Sequence, residues 1–188
     1  MCIRDSVNTT DVPTVDVHWN IIPADDAPTP PPADEVRFDE AVEGDISDDP
    51  ANPVSIPLTV RDTFVDGTVT AGDIDYVTVN VPEGHVLAAL GLPFYESGNE
   101  RSFIAVQEGT VFTEPTNPAD IDVANLLGYA LFGDATVGGD NLQLIGAGEG
   151  AQGFTGPLPA GDYTFWIQET ADVITAYSWH FVTVPAAD

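Results

Sequence analysis

Gly156-Pro157-Leu158-Pro159-Ala160-Gly161-Asp162-Tyr163-Thr164-Phe165-Trp166 is the stretch from which the fold can be read. Leu158–Asp162 supplies a turn in which glycine can take positive φ and aspartate can bond the backbone beyond it. From there Tyr163, Phe165 and Ile167 alternate with Thr164, Trp166 and Gln168, the period of a strand. An aromatic on each face predicts a central strand, Gly161–Glu169, covered on both sides, within a hairpin over Gly156–Glu169. Downstream, Tyr177, Trp179 and Phe181 share one face of a final strand. Upstream, Val77, Val79 and Val81 oppose Tyr76, Thr78 and Asn80, the pattern of a sheet with one wet side.

The same punctuation recurs along the chain. Strands are predicted at Ser55–Val60, Thr63–Thr70, Tyr76–Val81, Val86–Phe94, Ser102–Gln107, Leu127–Phe132, Asn141–Leu144, Gly161–Glu169 and Ala176–Val184, separated by Gly, Pro, Asn and Asp. The expected fold is all-β, an antiparallel, jelly-roll-like β-sandwich with an extended N-terminal tail. Val123–Ala130 has the composition for a helical turn or two, which Gly128 and Gly138-Gly139 keep short. No apolar run reaches the ~20 residues that a membrane-spanning helix needs, so no membrane insertion is expected.

The N-terminal fifth reads differently. Residues 1–6, Met1-Cys2-Ile3-Arg4-Asp5-Ser6, are identified as a translated sequencing adapter, so the native start is expected upstream. Residues 7–22 contain a strict alternation, with Val15, Val17, Trp19 and Ile21 on one face and Asp16, His18 and Asn20 on the other. They are expected to be the last strand of a truncated preceding domain. Residues 23–37 form a proline- and aspartate-rich spacer suited to polyproline II, and residues 38–186 the sandwich. A domain of this size, ~150 residues, buries ~70 % of its unfolded surface and needs no staples. None is available: Cys2 is the single cysteine and lies in the adapter, so disulfides and thiolate chemistry drop out.

Charge narrows the partners. Against 31 acids stand four basic residues, all arginines, giving a formal charge of −27. Such a surface repels phosphate backbones and anionic membranes and attracts cations, which points away from nucleic acid and towards a saline, extracellular setting.

Catalytic motifs are weak. Gly148-Glu149-Gly150-Ala151-Gln152-Gly153 has the dinucleotide glycine spacing but no predicted helix after it, and Glu149 would repel a pyrophosphate. His18, His85 and His180 lie far apart, without zinc-site spacing, and no Gly-x-Ser-x-Gly elbow occurs. No catalytic residue is assigned. Two acid clusters have the oxygen-rich character calcium prefers: Glu40, Glu43, Asp45, Asp48 and Asp49, and Asp73 with Asp75. Solvated acids and turn-capping aspartates are the competing account. Trp166 and Trp179 offer either core packing or, if exposed, a sugar-stacking platform.

The motifs Glu43-Gly44-Asp45-Ile46-Ser47-Asp48-Asp49-Pro50, Val69–Gly84 with its Asp73-Ile74-Asp75-Tyr76, and Leu158-Pro159-Ala160-Gly161-Asp162-Tyr163-Thr164 together resemble bacterial pre-peptidase C-terminal-like domains over residues 38–186. The resemblance implies a calcium-compatible, non-catalytic module of a secreted or cell-surface protein, with Asp45, Asp73 and Asp75 on motif positions as cation ligands and Asp48 and Glu43 beside them. Its implied partners are neighbouring domains of the same polypeptide and a surface glycan or protein. A carbohydrate-binding module, and a fragment of a secreted hydrolase whose catalytic domain lies elsewhere, are the alternatives. The stretch Thr113–Ala151 departs from the compact family pattern as a long insertion.

Overall fold

The computed structural model describes residues 35–187 except positions 60, 61, 116 and 170. The strand expected within residues 7–22, the spacer up to residue 34, and His18 lie outside them. The described residues form an all-β sandwich of two packed sheets. In chain order the elements are β1 (Glu35–Asp39), α1 (Glu40–Glu43), β2 (Val54–Pro57), β3 (Asp62–Val69), β4 (Ile74–Val81), β5 (His85–Ser97), β6 (Ser102–Glu108), β7 (Gly128–Phe132), α2 (Leu142–Gly146), β8 (Gly161–Glu169) and β9 (Thr175–Pro185). One sheet runs β1-β3-β9-β5, the other β2-β4-β8-β6-β7. The chain changes sheet at each of its first five strand-to-strand connections, a jelly-roll-like wiring. Neither helix is long and apolar enough to cross a membrane.

The period-2 patterns place the core. Val77, Val79 and Val81 of β4 and Phe165 and Ile167 of β8 point inward against Val65, Tyr177, Trp179 and Phe181 of the other sheet, all of them buried. Rings interlock across the layers, Phe132 with Trp179 (centroids 4.8 Å) and Phe165 with Phe181 (5.4 Å), both edge to face.

Several expectations are corrected. The edge strands β1 and β2 pair in parallel with β3 and β4, while the other five ladders, including those of the edge strands β5 and β7, are antiparallel as expected. β1 begins at Glu35, inside the expected spacer, because Phe38 packs on the core and Arg37 reaches Glu35 and Asp66. Asn141–Leu144 is not a strand: Asp140 Oδ1 accepts the N–H groups of Leu142 and Leu90 (3.0 Å each), starting α2, which buries Leu142 and Ile145. A Cβ on Gly128 would lie 2.9 Å from the Ile145 carbonyl carbon, so glycine lets β7 approach this helix. The Gly156–Glu169 hairpin is instead a crossover. Leu158 bridges Leu87 of β5, while β8 joins the opposite sheet.

The wet side predicted for β4 is also covered. Tyr76 and Trp166 lie on the outer face of the second sheet, yet both are fully buried beneath Phe112, Leu126 and Phe103. The strap over them is fixed by Gln107, which accepts from Thr113 N–H (2.7 Å) and donates to the Asn125 carbonyl (3.0 Å). Glu114, itself buried, accepts from Asp122 N–H and Asn125 Nδ2 (2.8 Å each).

Because Trp179 is fully buried and Val184 is 38 % exposed on the same strand, the two separate packing from surface effects. Trp179→Ala should cost about 3–5 kcal/mol in urea unfolding, and Val184→Ala at most about 0.5 kcal/mol. Equal losses would contradict the assigned inward face of β9.

Candidate functional site

One end of the sandwich gathers the two acid clusters. Thr70 and Asp73 exchange backbone hydrogen bonds (3.2 and 3.4 Å), closing a tight turn at Ala71-Gly72 that carries the chain from β3 in one sheet to β4 in the other. The segment 46–48 then lies along the start of β4. Ile46 is buried in the core, Tyr76 N–H donates to the Ser47 carbonyl (3.0 Å), and Ile74 N–H donates to Asp48 Oδ1 (3.0 Å). Across the end, Asp39 accepts from Ala41 N–H to begin α1, whose Glu40 accepts from Thr68 N–H (2.6 Å). These contacts bring Glu40, Asp45 and Asp73 to bear on Asp75, with Asp48 beside Asp73.

Asp75 occupies an inward position of β4, in phase with Val77, and is fully buried. Its Oδ2 accepts from the Tyr177 hydroxyl of the opposite sheet (2.5 Å), and its Oδ1 has no hydrogen-bond partner. The contact requires Gly67: a Cβ there would lie 2.7 Å from Tyr177 Cζ and 3.0 Å from Asp75 Oδ2. Burial pushes the Asp75 carboxyl up to about 8, against the opposing pull of the Tyr177 hydroxyl; the charges of Glu40, Asp73 and Asp45 add to the rise. The acids around it respond to one another. Glu40 is raised by burial and then by its contact with Asp45, and Asp73 by burial and then by Asp45 and Asp48.

Glu43 and Asp49 stand apart from this set. Glu43 is exposed at the end of α1, while Asp49 is a turn residue, accepting from Asn52 Nδ2 (2.7 Å) and Ala51 N–H (2.9 Å). Among the described residues, no group of three or more His, Cys, Asp or Glu side chains is already arranged to hold a metal ion. The set forms no closed cage, and Asp75 Oδ1 within it is buried without a hydrogen-bond partner.

A second buried carboxylate lies nearby. Asp75 pairs in register with Ile167, two residues before Glu169 on β8. Glu169 accepts from Ser97 Oγ (3.3 Å), Asn99 Nδ2 (2.7 Å), Ser102 Oγ (2.8 Å), Ala171 N–H (2.9 Å) and the Thr175 hydroxyl. Burial alone would raise this group, but the donors outweigh it and hold it at about 2. Period and composition carry no signal for this knot, because its donors come from two connections far apart in sequence, β5–β6 and β8–β9.

The tryptophans named for a sugar platform are both 0 % exposed, Trp166 beneath the strap and Trp179 between the sheets, so neither offers a ring face to a ligand. Gly148–Gly153 follows α2 as a turn rather than linking a strand to a helix, which removes the geometry a pyrophosphate needs. His85 Nδ1 lies 3.1 Å from the Glu83 carbonyl at the start of β5, and His180 stacks on Phe64 on the outer face of the first sheet (centroids 4.3 Å). No protein-family model and no curated protein matches the chain.

The two buried carboxyls predict opposite pH limbs. Glu169 is lowered from 4.5 to about 2, so its contribution is present above its unfolded pKa and lost as pH falls through 2. Asp75 is raised from 3.8 to about 8; its contribution is present below 3.8 and lost as pH rises through 8. In chelator, unfolding free energy should therefore peak at about pH 4–5 and decline towards pH 8. Asp75→Asn should flatten the decline, measured by urea unfolding across pH; an unchanged slope would show that Asp75 does not hold its proton in the folded state.

Proposed function

We propose that this chain is a non-catalytic accessory or adhesion module of a larger secreted or cell-surface protein, its acidic end tightened by a divalent cation, calcium by preference. The observation that carries the reading is Asp75: a fully buried carboxyl with one oxygen unpartnered, facing a set of carboxylates contributed by α1, the 45–48 segment and the β3–β4 turn. Burying an acid among acids is costly, and a hard cation that takes six to eight oxygens is the chemical partner that relieves it. Asp45, Asp73 and Asp75 would hold the ion, with Asp48 and Glu40 within the same set. The charge of −27 suits an extracellular medium of high ionic strength, where screening limits self-repulsion. Neighbouring domains of the same polypeptide are its first partners, with a surface glycan or protein beyond them.

Calorimetry tests the reading. At about 100 times its dissociation constant, calcium should add about 2.7 kcal/mol of stability, which chelator reverses. At neutral pH Asp75→Asn should be more stable than the parent protein in chelator yet gain nothing from calcium, and Asp45→Asn should lose most of the calcium response. A melting temperature that calcium leaves unchanged at every pH would remove the cation from the proposal.

A further inference from the structure

The outer face of the first sheet carries a groove of about 760 Å³, and its cross-strand rows define what it accepts. In one row Arg37, Phe64 and His180 are neighbours in register. The Arg37 guanidinium sits 4.5 Å from the Phe64 ring centroid and His180 stacks on it, so this ring is flanked on both faces and closes the groove. In the next row Asp39, Asp66, Ser178 and Phe94 follow one another across β1, β3, β9 and β5. Thr68, Ala176 and Glu96 make the third. Small residues on β9 thus form a trough between a wall of carboxylates and an apolar wall of Pro93 and Phe94. Phe94 is 47 % exposed, and the surface continues past Ala176 to Ile174, 71 % exposed.

We infer that this groove binds an extended basic segment of a partner protein, seating lysine or arginine side chains with their stems on Phe94 and their charges against Asp39 and Asp66. The trough matches such a side chain in both respects, an apolar stem and a cationic head. Four carboxylates line it, Asp39, Glu40, Asp45 and Asp66, against one guanidinium, Arg37, which pairs with Asp66 and with Glu35 beside the groove, so the lining keeps a net negative charge. Charge also argues against the nearest rival occupants. A second copy brings −27 of its own, and residues 7–34 contain five aspartates and no lysine or arginine. The groove shares Glu40 and Asp45 with the proposed cation set, but the groups that seat the side chain, Asp39, Asp66 and Phe94, lie outside the set that acts on Asp75.

Fluorescence anisotropy with the full chain tests it, using a labelled short peptide alternating lysine and valine. Companion peptides carry serine for valine or glutamate for lysine. At physiological ionic strength, where the Debye length is about 8 Å, the lysine–valine peptide should bind, and the serine companion should bind about tenfold or more weakly. Phe94→Ala and Asp66→Asn should each weaken binding several-fold, while Leu131→Ala, an exposed apolar side chain on the opposite sheet, should leave it unchanged. The titrations are run in chelator, so failure of the cation site leaves the outcome readable. Equal binding of the serine companion, or indifference to Phe94→Ala, would reduce the effect to bulk charge and overturn the inference. So would sedimentation showing that the groove variants change self-association instead.

Discussion

The hydrogen bond from the Tyr177 hydroxyl to the Asp75 carboxyl ties one sheet to the other at the end of the core where the acids collect. It requires a glycine at position 67, since any side chain there would occupy the space of the tyrosine ring. The bond by itself favours an ionised Asp75, but burial outweighs it and pushes the carboxyl up to about 8, because a lone ionised oxygen in that environment would be strongly destabilising. The β3–β4 turn, the 45–48 segment and α1 are arranged around this contact. Each contributes a carboxylate, and each is anchored by a backbone bond of its own. The acidic end is therefore an extension of the hydrophobic core, with its inner edge at a polar pair between the layers.

The groove begins where this end stops. Glu40, Asp45 and Tyr177 belong to its lining as well as to the surroundings of Asp75, so the gap above Gly67 joins the interior of the sandwich to its outer face. Further along, the groove depends on strand register alone. Rows of side chains meet at the spacings of a twisted sheet, and the small residues of β9 leave the trough that larger ones would fill.

Much of this was legible in the sequence because strand periodicity is a direct consequence of burial. Gly161–Glu169 has the predicted bounds, and its two aromatic faces, Phe165 inward and Trp166 outward, are both covered as an aromatic on each side requires. The parity that puts Asp75 in phase with Val77 was equally available. What failed was anything decided by cover supplied from a distance. Tyr76 and Thr78 alternate like a solvated face, and only the strap held by Gln107 and Glu114 makes them interior. Trp166 follows the same logic. Asn141–Leu144 is too short for its period to separate helix from strand, and the turn in which Asp140 accepts the Leu142 N–H leads the chain into α2. The parallel edge pairings escaped because single-strand patterns carry no direction.

Glu169 and Asp75 show why the acidic end reads as incomplete while its neighbour does not. Both are carboxyls at inward positions at the same end of the sandwich, and both are buried to within 1 %. Glu169 has five donors and stays ionised well below its ordinary range; Asp75 has one, keeps its proton to about 8, and leaves an oxygen bare. The sheet scaffold does not distinguish them, although Asp75 is the more deeply enclosed of the two. The difference is the supply of positive partial charge, which hydroxyls, an amide and a backbone N–H provide at Glu169 and which the surrounding acids withhold at Asp75. A divalent cation would do for Asp75 what those donors do for Glu169, neutralising the carboxylate locally and reversing the repulsion among Glu40, Asp45 and Asp73 in the same step. The contrast between two carboxyls in one small region, more than the abundance of acid in the chain, is what gives the cation reading its physical content.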